Sequence, residues 1–324
     1  GTVAISSGGS HTCAIGSDGL VYCWGEDNDG QQGGNGASNP HAPSQSADLG
    51  SGRTAVQISS GEKHTCAILD DGTVSCWGYN GNGQLGDGTG ADRSNPSLTD
   101  SLGSGRTAVE ISSGAAFNCA RLDDGSMSCW GNNGNGQLGD GSSIDRYVPT
   151  QTESLGDGVT ARSIVAGWYH HTCAILDDDS VSCWGYNTYG QIGDGTTTER
   201  NTPTPTSSLG SGAGPSSEVI HEHTGQAEQA ACPPGTYNPD SGSISSSACI
   251  DAAPGHYVAD NSWTEEIDTG FDVTISAGDR HTCMLLDNQS VVCTGFGGSG
   301  QLGNGGTNDL SEPDFIDTTA DGAI

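Results

Sequence analysis

Five cysteine pairs with one spacing constrain this chain more than any other feature: Cys13 and Cys23, Cys66 and Cys76, Cys119 and Cys129, Cys173 and Cys183, Cys283 and Cys293. The best-formed copy runs from His64 to Gly88. Two β-competent runs, His64 to Leu69 and Thr73 to Trp77, flank Asp70-Asp71-Gly72, the composition of a three-residue hairpin loop with Gly at its left-handed position. With Asp71 at the turn centre, Cys66 opposes Cys76 and Ile68 opposes Val74. All four share one face, because side chains alternate along a strand. Opposed residues of a non-hydrogen-bonded antiparallel pair lie about 4.5 Å apart at Cα, within the reach of a disulfide. Turn, apolar pattern and spacing thus agree on a cross-strand disulfide in each copy.

The copies recur at a fixed period, which makes the recurrence the fold. First cysteines lie 53, 53, 54 and 110 residues apart, and the last interval is about two periods. The residues before Cys13 and after Cys283 together supply one more period, so the chain reads as six slots of about 54 residues, five of them carrying the hairpin. Each unit reads as an opening strand (residues 2–6, Ala55 to Ser59, Ala108 to Ser112, Val273 to Ser276), the hairpin, a Gly-Gln-x-Gly corner and a last extended segment. Proline in that segment, as in Ser94-Asn95-Pro96 and Arg146-Tyr147-Val148-Pro149, suits a sheet edge, since proline cannot donate to a central ladder. The Thr/Pro tract from Thr196 to Ser208 reads either as such an edge strand or as an O-glycan carrier.

Hydrophobic residues make up only 32% of the chain and glycine numbers 53, as expected of small units that bury their faces on one another and turn sharply. Nine basic residues against 40 acidic ones give a formal charge of −31. Nucleic acid and anionic membrane surfaces are thereby excluded as expected partners, since both need clustered cations. An even cysteine count without Cys-x-x-Cys or finger spacing points to an oxidising compartment, extracellular or at the cell surface. No apolar run is long enough for membrane insertion. The sequence begins at Gly1 without a leader, so it reads as a processed form or a fragment.

The pattern Ile-Ser-x-Gly-x-x-His-Thr-Cys-Ala-x-x-x-Asp-Gly-x-Val-x-Cys-Trp-Gly-x-Asn-x-x-Gly-Gln-Leu-Gly-x-Gly resembles the repeat of the regulator of chromosome condensation family, in a secreted, disulfide-containing form. The resemblance implies an all-β fold, a β-propeller of four-stranded blades, usually seven of them. Departures are Phe117-Asn118 for His-Thr in the third unit, Asp179 for the turn glycine in the fourth, and Thr294 for the tryptophan in the last. Residues 1–212 are read as repeats one to four and 268–324 as the fifth recognisable repeat. Between them, residues 213–267 form an irregular insert. There, Cys232-Pro-Pro-Gly-Thr-Tyr-Asn-Pro, Cys249 and Pro254-Gly-His-Tyr257 resemble part of the cysteine-rich repeats of ephrin-receptor-type extracellular proteins, with Cys232 to Cys249 the natural pairing.

The repeated His11, His64, His171 and His281 are read as blade packing, each imidazole bonded to a backbone group. Trp24, Trp77, Trp130 and Trp184 are read as blade-to-blade contacts. His221 and His223, with Glu222 between them, are the weak metal candidates, zinc or copper, against a reading as solvated linker. Glu26-Asp27-Asn28-Asp29-Gly30 lacks the spacing of a calcium loop and aligns with turn residues, leaving only incidental calcium binding to an acidic surface. Asp70-Asp71, Asp123-Asp124 and Asp177-Asp178 are exposed turn pairs, so no catalytic residue, no cofactor and no enzyme activity are expected. Asn288-Gln289-Ser290 is the N-glycosylation candidate.

Two functions fit. One is an extracellular structural or adhesive repeat protein, self-associating head-to-tail as a fibre subunit. The other is a secreted binding propeller that presents its loops to a protein partner, as the β-lactamase-inhibitor members of the resembled family do. Nucleotide exchange on a small GTPase, suggested by the family's name, is disfavoured by the disulfides. Trp168-Tyr169 is the non-repeated aromatic feature that favours the binder.

Overall fold

The computed structural model describes residues 2–34, 42–46, 48–50, 52–207, 274–278, 280–285, 291–298, 302 and 307–315, with short strands at 236–237, 250–251, 256–258 and 266–268. The described residues form five antiparallel four-stranded sheets, each a meander in chain order. The second sheet comprises Ala55–Ser60, His64–Leu69, Val74–Gly78 and Arg93–Leu98. The others begin at Thr2–Ser7, Ala108–Ser113, Ala161–Gly167 and Thr274–Ala277. Cys232, Cys249, His221, His223 and Asn288 lie outside the described residues.

Each hairpin forms in the register that its turn dictates. Leu69 N donates to Thr73 O and Gly72 N to Leu69 O, with Gly72 at φ +77°. The loop is therefore Asp70-Asp71-Gly72, and Cys66 opposes Cys76 while Ile68 opposes Val74. Cys119 likewise opposes Cys129, and Cys283 opposes Cys293. Disulfides join Cys13 to Cys23, Cys66 to Cys76, Cys119 to Cys129 and Cys173 to Cys183 with Cα atoms 4.1 Å apart, and Cys283 to Cys293 at 4.2 Å. That spacing is somewhat shorter than the usual range for a bridge, and close to that of a non-hydrogen-bonded strand pair. Asp71 caps its own turn by accepting from Thr73 N and Oγ1, and Asp124 and Asp178 do the same with Ser126 and Ser180. Asp179 occupies the glycine position at φ +63° and is held there by Arg162 at 2.5 Å. The Thr/Pro tract supplies Arg200–Pro205, the outer strand of the fourth sheet.

The core lies between blades. Cys13, Ile15, Val21 and Cys23 of the first blade meet Ile58, Ala67, Leu69 and Trp77 of the second. The same arrangement repeats from the second blade to the third, and from Cys119, Met127 and Cys129 of the third to the fourth. Cys173, Ile175, Val181 and Cys183 of the fourth then meet Met284 and Val292 of the fifth. The fourth and fifth repeats are thus immediate neighbours in space although two periods apart in sequence.

Polar ties explain the rest of the repeat. Trp77, Trp130 and Trp184 donate their indole N–H to the carbonyls of Gln31, Gln84 and Gln137 in the preceding blade, each at 3.0 Å. Beneath each ring sits the corner glycine, Gly33, Gly86 or Gly139, where a Cβ would lie within 3 Å of the indole. The histidines are tied to side chains of the next blade rather than to backbone, which corrects the sequence reading. Thr65 Oγ1 donates to Gln31 O at 2.8 Å, so its oxygen accepts from His11 Nε2, also at 2.8 Å. His171, Thr282 and Gln191 repeat this relay. Asn118 takes the threonine's place with an amide that both accepts from His64 and donates to Gln84 O. Thr294, standing where tryptophan stands elsewhere, keeps an inter-blade bond to Gly190 O at 2.8 Å. The glycine of Ile-Ser-x-Gly is needed for space: a Cβ at Gly61 would overlap the His64 ring.

Candidate functional site

One rim of the stack is defined by a backbone bond that every blade makes. The residue after the third strand donates its N–H to the carbonyl of the residue before the second strand: Glu26 to Ser10, Tyr79 to Lys63, Asn132 to Ala116, Tyr186 to His170, and Phe296 to Arg280. Five pairs of variable residues are thereby set side by side on a fixed frame. Rigid strands carrying variable loops are the usual construction of a recognition surface.

The rim changes character along the stack. In the first two blades it is charged, with Lys63 Nζ 3.5 Å from Asp29 and 5.9 Å above the Tyr79 ring. In the third it is small and neutral, Ala116 beside Asn132. In the fourth and fifth it is aromatic and cationic. Tyr169 packs edge-on against Tyr186 at 5.1 Å, Tyr186 against Tyr189 at 6.1 Å, and Tyr189 against Phe296 at 5.2 Å. Arg280 is set among them, its Cζ 4.8 Å from the Tyr169 centroid, 5.4 Å from Tyr189 and 5.9 Å from Phe296. These residues and Trp168 are all half-buried, so ring edges remain open to solvent.

The fourth-blade loop is one residue longer than its counterparts. Two residues separate Gly61 from His64, but Trp168, Tyr169 and His170 separate Gly167 from His171. The surplus is absorbed at His170, which adopts φ +59°, a conformation few residues other than glycine take. Gln137 Nε2 bonds His170 Nδ1 at 2.9 Å and fixes the ring. Backbone strain of this kind tends to be kept at functional positions. The sequence signalled Trp168 and Tyr169. It did not signal Tyr186, Tyr189, Arg280 or Phe296, although the extra loop residue could have been counted.

The other sequence candidates have structural work. Burial pushes His11, His64 and His171 down to about 4, so all three are neutral rings inside blade interfaces. Asp27 accepts from Gln32 N at 2.9 Å as a turn residue, its pKa raised by burial. Asp71 and Asp124 are held below the usual carboxylate range by the Thr73 and Ser126 hydroxyls, and their pairs Asp70-Asp71 and Asp123-Asp124 meet Arg53 and Arg106. Asp177 caps Thr160. The ten cysteines of the hairpins, Cys129 and Cys293 among them, are all bridged and so offer no thiol to a metal or a substrate. Among the described residues no three His, Cys, Asp or Glu side chains are grouped to hold a metal. No described helix is long and apolar enough to cross a membrane.

The RCC1-like domain profile matches residues 1–323. The chain belongs to the RCC1-like domain family. This RCC1-like chain is 34% identical over 207 residues to the ultraviolet-B receptor UVR8 of Arabidopsis thaliana, covering 64% of the chain and 46% of the receptor. It is 32% identical over 195 residues to human E3 ubiquitin-protein ligase HERC2, covering 60% of the chain and 4% of the ligase. The chain thus spans less than half the length of either relative. Among solved structures, human WBSCR16 superposes with a TM-score of 0.68 at 19% identity, covering 98% of this chain and 67% of that one. Yeast RCC1 (Prp20), solved bound to Kap60, gives 0.59 at 17% identity, covering 99% and 76%. At such identities the likeness speaks for the fold alone, which is the propeller-type blade expected from the repeat.

Proposed function

We propose that this RCC1-like chain is an extracellular protein-binding propeller whose contact surface is the rim of the fourth and fifth blades, and that it carries no catalysis of its own. The observation that supports it is the cluster of Tyr169, Tyr186, Tyr189 and Phe296 around Arg280, built on an elongated loop where the other blades have short ones. Tyrosine, tryptophan and arginine are the residues that dominate binding hot spots, because they offer large, rigid and partly polar contact area. The buried disulfides support the extracellular setting. A formal charge of −31 favours a partner with a basic surface, attracted faster at low ionic strength.

A random-peptide phage library panned on the folded protein tests this reading. Enriched peptides are expected to be aromatic with an acidic residue placed to meet Arg280, and to lose at least tenfold in affinity for a Tyr169→Ala, Arg280→Ala double variant that keeps its melting temperature. Peptides that bind both proteins equally would place recognition elsewhere.

A further inference from the structure

The corner glutamines hold a buried amide whose two ends are used differently. The oxygen end does the same work in each of the first four blades: Gln31, Gln84, Gln137 and Gln191 accept the backbone N–H of Asp29, Asn82, Asn135 and Tyr189 at 2.9 to 3.1 Å. That bond fixes which end of each amide is nitrogen. In the third blade the nitrogen end is satisfied from the rim, Gln137 Nε2 donating to Asn132 Oδ1 at 2.6 Å and to His170 Nδ1 at 2.9 Å. Asn132 is the rim residue of its own blade, and His170 that of the next. One blade further on, Tyr186 and Arg280 hold these two places. There Gln191 Nε2 has no hydrogen-bond partner, although Gln191 is fully buried. Its place under the rim is fixed by the fifth blade: Thr282 Oγ1 donates to the Gln191 carbonyl at 3.1 Å, and a Cβ on Gly295 would lie 3.2 Å from Gln191 Cβ. Arg280 and Phe296 stand two residues before Thr282 and one after Gly295. A buried amide donor is normally paired, so this one marks where an acceptor belongs.

We infer that the aromatic rim recognises a carboxylate of its protein partner, which enters beside Arg280 and accepts from Gln191 Nε2. The inference rests on the rim being the contact surface and names the group that it takes. A carboxylate is acceptor-only with two oxygens, so it meets an amide and a guanidinium together. It takes the place that Asn132 Oδ1 and His170 Nδ1 fill one blade earlier. Tyr189 Oη accepts from Arg280 Nη1 at 3.5 Å, which leaves its own proton to donate to the same group. Tyr186 and Arg280 are half-exposed, so turning either side chain outward uncovers the amide. Gln31 Nε2 also lacks a partner, but the rim there already carries Glu26 and Asp29, the latter 3.5 Å from Lys63 Nζ. A second anion at that end is repelled. The formal charge of −31 opposes a carboxylate only at long range, because physiological salt screens charges beyond about 8 Å. Charge-assisted hydrogen bonds act well inside that distance.

Phenylacetate titrated into the nitrogen-15-labelled protein is the direct probe, with neutral phenylacetamide of the same shape beside it. Phenylacetate is expected to shift the Gln191 side-chain amide signals, identified by their loss in Gln191→Glu, and phenylacetamide at the same concentration to leave them in place. Gln191→Glu keeps the oxygen that accepts from Tyr189 N, removes the donor and sets a carboxylate of its own beside Arg280. It should bind phenylacetate at least tenfold more weakly. Should that variant fail to fold, Arg280→Gln, which alters a half-exposed side chain, is expected to show the same loss. Peptides obtained by panning then separate the two sources of the group. Weaker binding after amidation of the peptide's C-terminus means a terminal carboxylate, and weaker binding after replacing aspartate by asparagine or glutamate by glutamine means a side chain. Equal shifts from phenylacetate and phenylacetamide, or none from either, would overturn the inference. So would peptides that protect the rim from exchange yet are indifferent to every loss of a carboxylate, an outcome that leaves the rim itself standing as the contact surface. Peptides that bind away from the rim would instead count against the rim, and the phenylacetate titration would still decide the carboxylate.

Discussion

Reduction of the hairpin disulfides is expected to abolish the cooperative unfolding transition of the stack. Each bridge joins cysteines ten residues apart, and closing a loop of that length removes roughly 2 to 3 kcal/mol of denatured-state entropy. Five bridges together reach about 10 kcal/mol or more, comparable to the whole stability of an ordinary domain. The entropy is needed here, because a chain with only 32% hydrophobic residues has little other core to rely on. Reduction should also proceed in order. The four pairs of the first four blades are buried, whereas Cys283 is half-exposed, so the bridge between Cys283 and Cys293 should be reduced and alkylated first in a time course with dithiothreitol and iodoacetamide followed by mass spectrometry. A fully reduced protein that melts at the same temperature as the oxidised one would contradict this.

Acid should destabilise the stack well above the pH at which carboxylates titrate. His11, His64 and His171 are neutral in the fold, their pKa values lowered to about 4 from 6.5 by burial. In the relay each Nε2 donates to the next blade, and Nδ1 of each ring has no hydrogen-bond partner. A second proton would thus be a buried charge, with no acceptor at His11 or His64 and only the Tyr169 backbone beside His171. Between pH 6.5 and 4 the unfolded chain takes up protons that the folded chain refuses, so stability falls as pH falls through that window and levels off below it. The loss is on the order of 3 kcal/mol for each histidine. At Asp87, Asp140 and Asp194 burial raises the pKa, but the threonine or serine and arginine partners together outweigh it and leave the carboxyl depressed, so these groups add a further loss only below about pH 4. Urea unfolding midpoints at intervals from about pH 7.5 to 4.5 measure the slope. His171→Phe copies the third blade, where Phe117 fills the same place, and should flatten the slope by about a third. Constant stability across the window would refute the burial argument.

How much of this was legible depended on distance along the chain. The turn at Asp70-Asp71-Gly72, the pairing of Cys66 with Cys76 and the sharing of a face by Ile68 and Val74 are all local, fixed by strand alternation and one loop. The same local rule reached Cys119 with Cys129 and Cys283 with Cys293, even where a flanking residue departs from the repeat. The role of the histidines was legible only in kind. His11 reaches Thr65 and His64 reaches Asn118 across 54 residues, and nothing in a single unit says whether the acceptor is backbone or side chain. The departures became intelligible once their partners were visible: Asn118 does what threonine does, and Thr294 retains the hydrogen bond if not the ring. The aromatic rim was half legible. Trp168 and Tyr169 stand out because no other repeat has them. Tyr189 meets Arg280 only because the fifth repeat packs directly on the fourth, an adjacency 91 residues wide that the long insert conceals.

Hydrogen–deuterium exchange on the intact protein, with and without an aromatic peptide obtained by panning, tests the binding surface most directly. A partner held by the rim should slow exchange at residues 167–171, 186–190, 280 and 296, and leave the hairpin turns at 70–72, 123–125 and 177–179 unchanged. Protection at those turns, or binding with no protection at the fourth and fifth rim positions, would contradict the assignment of the rim as the site of recognition.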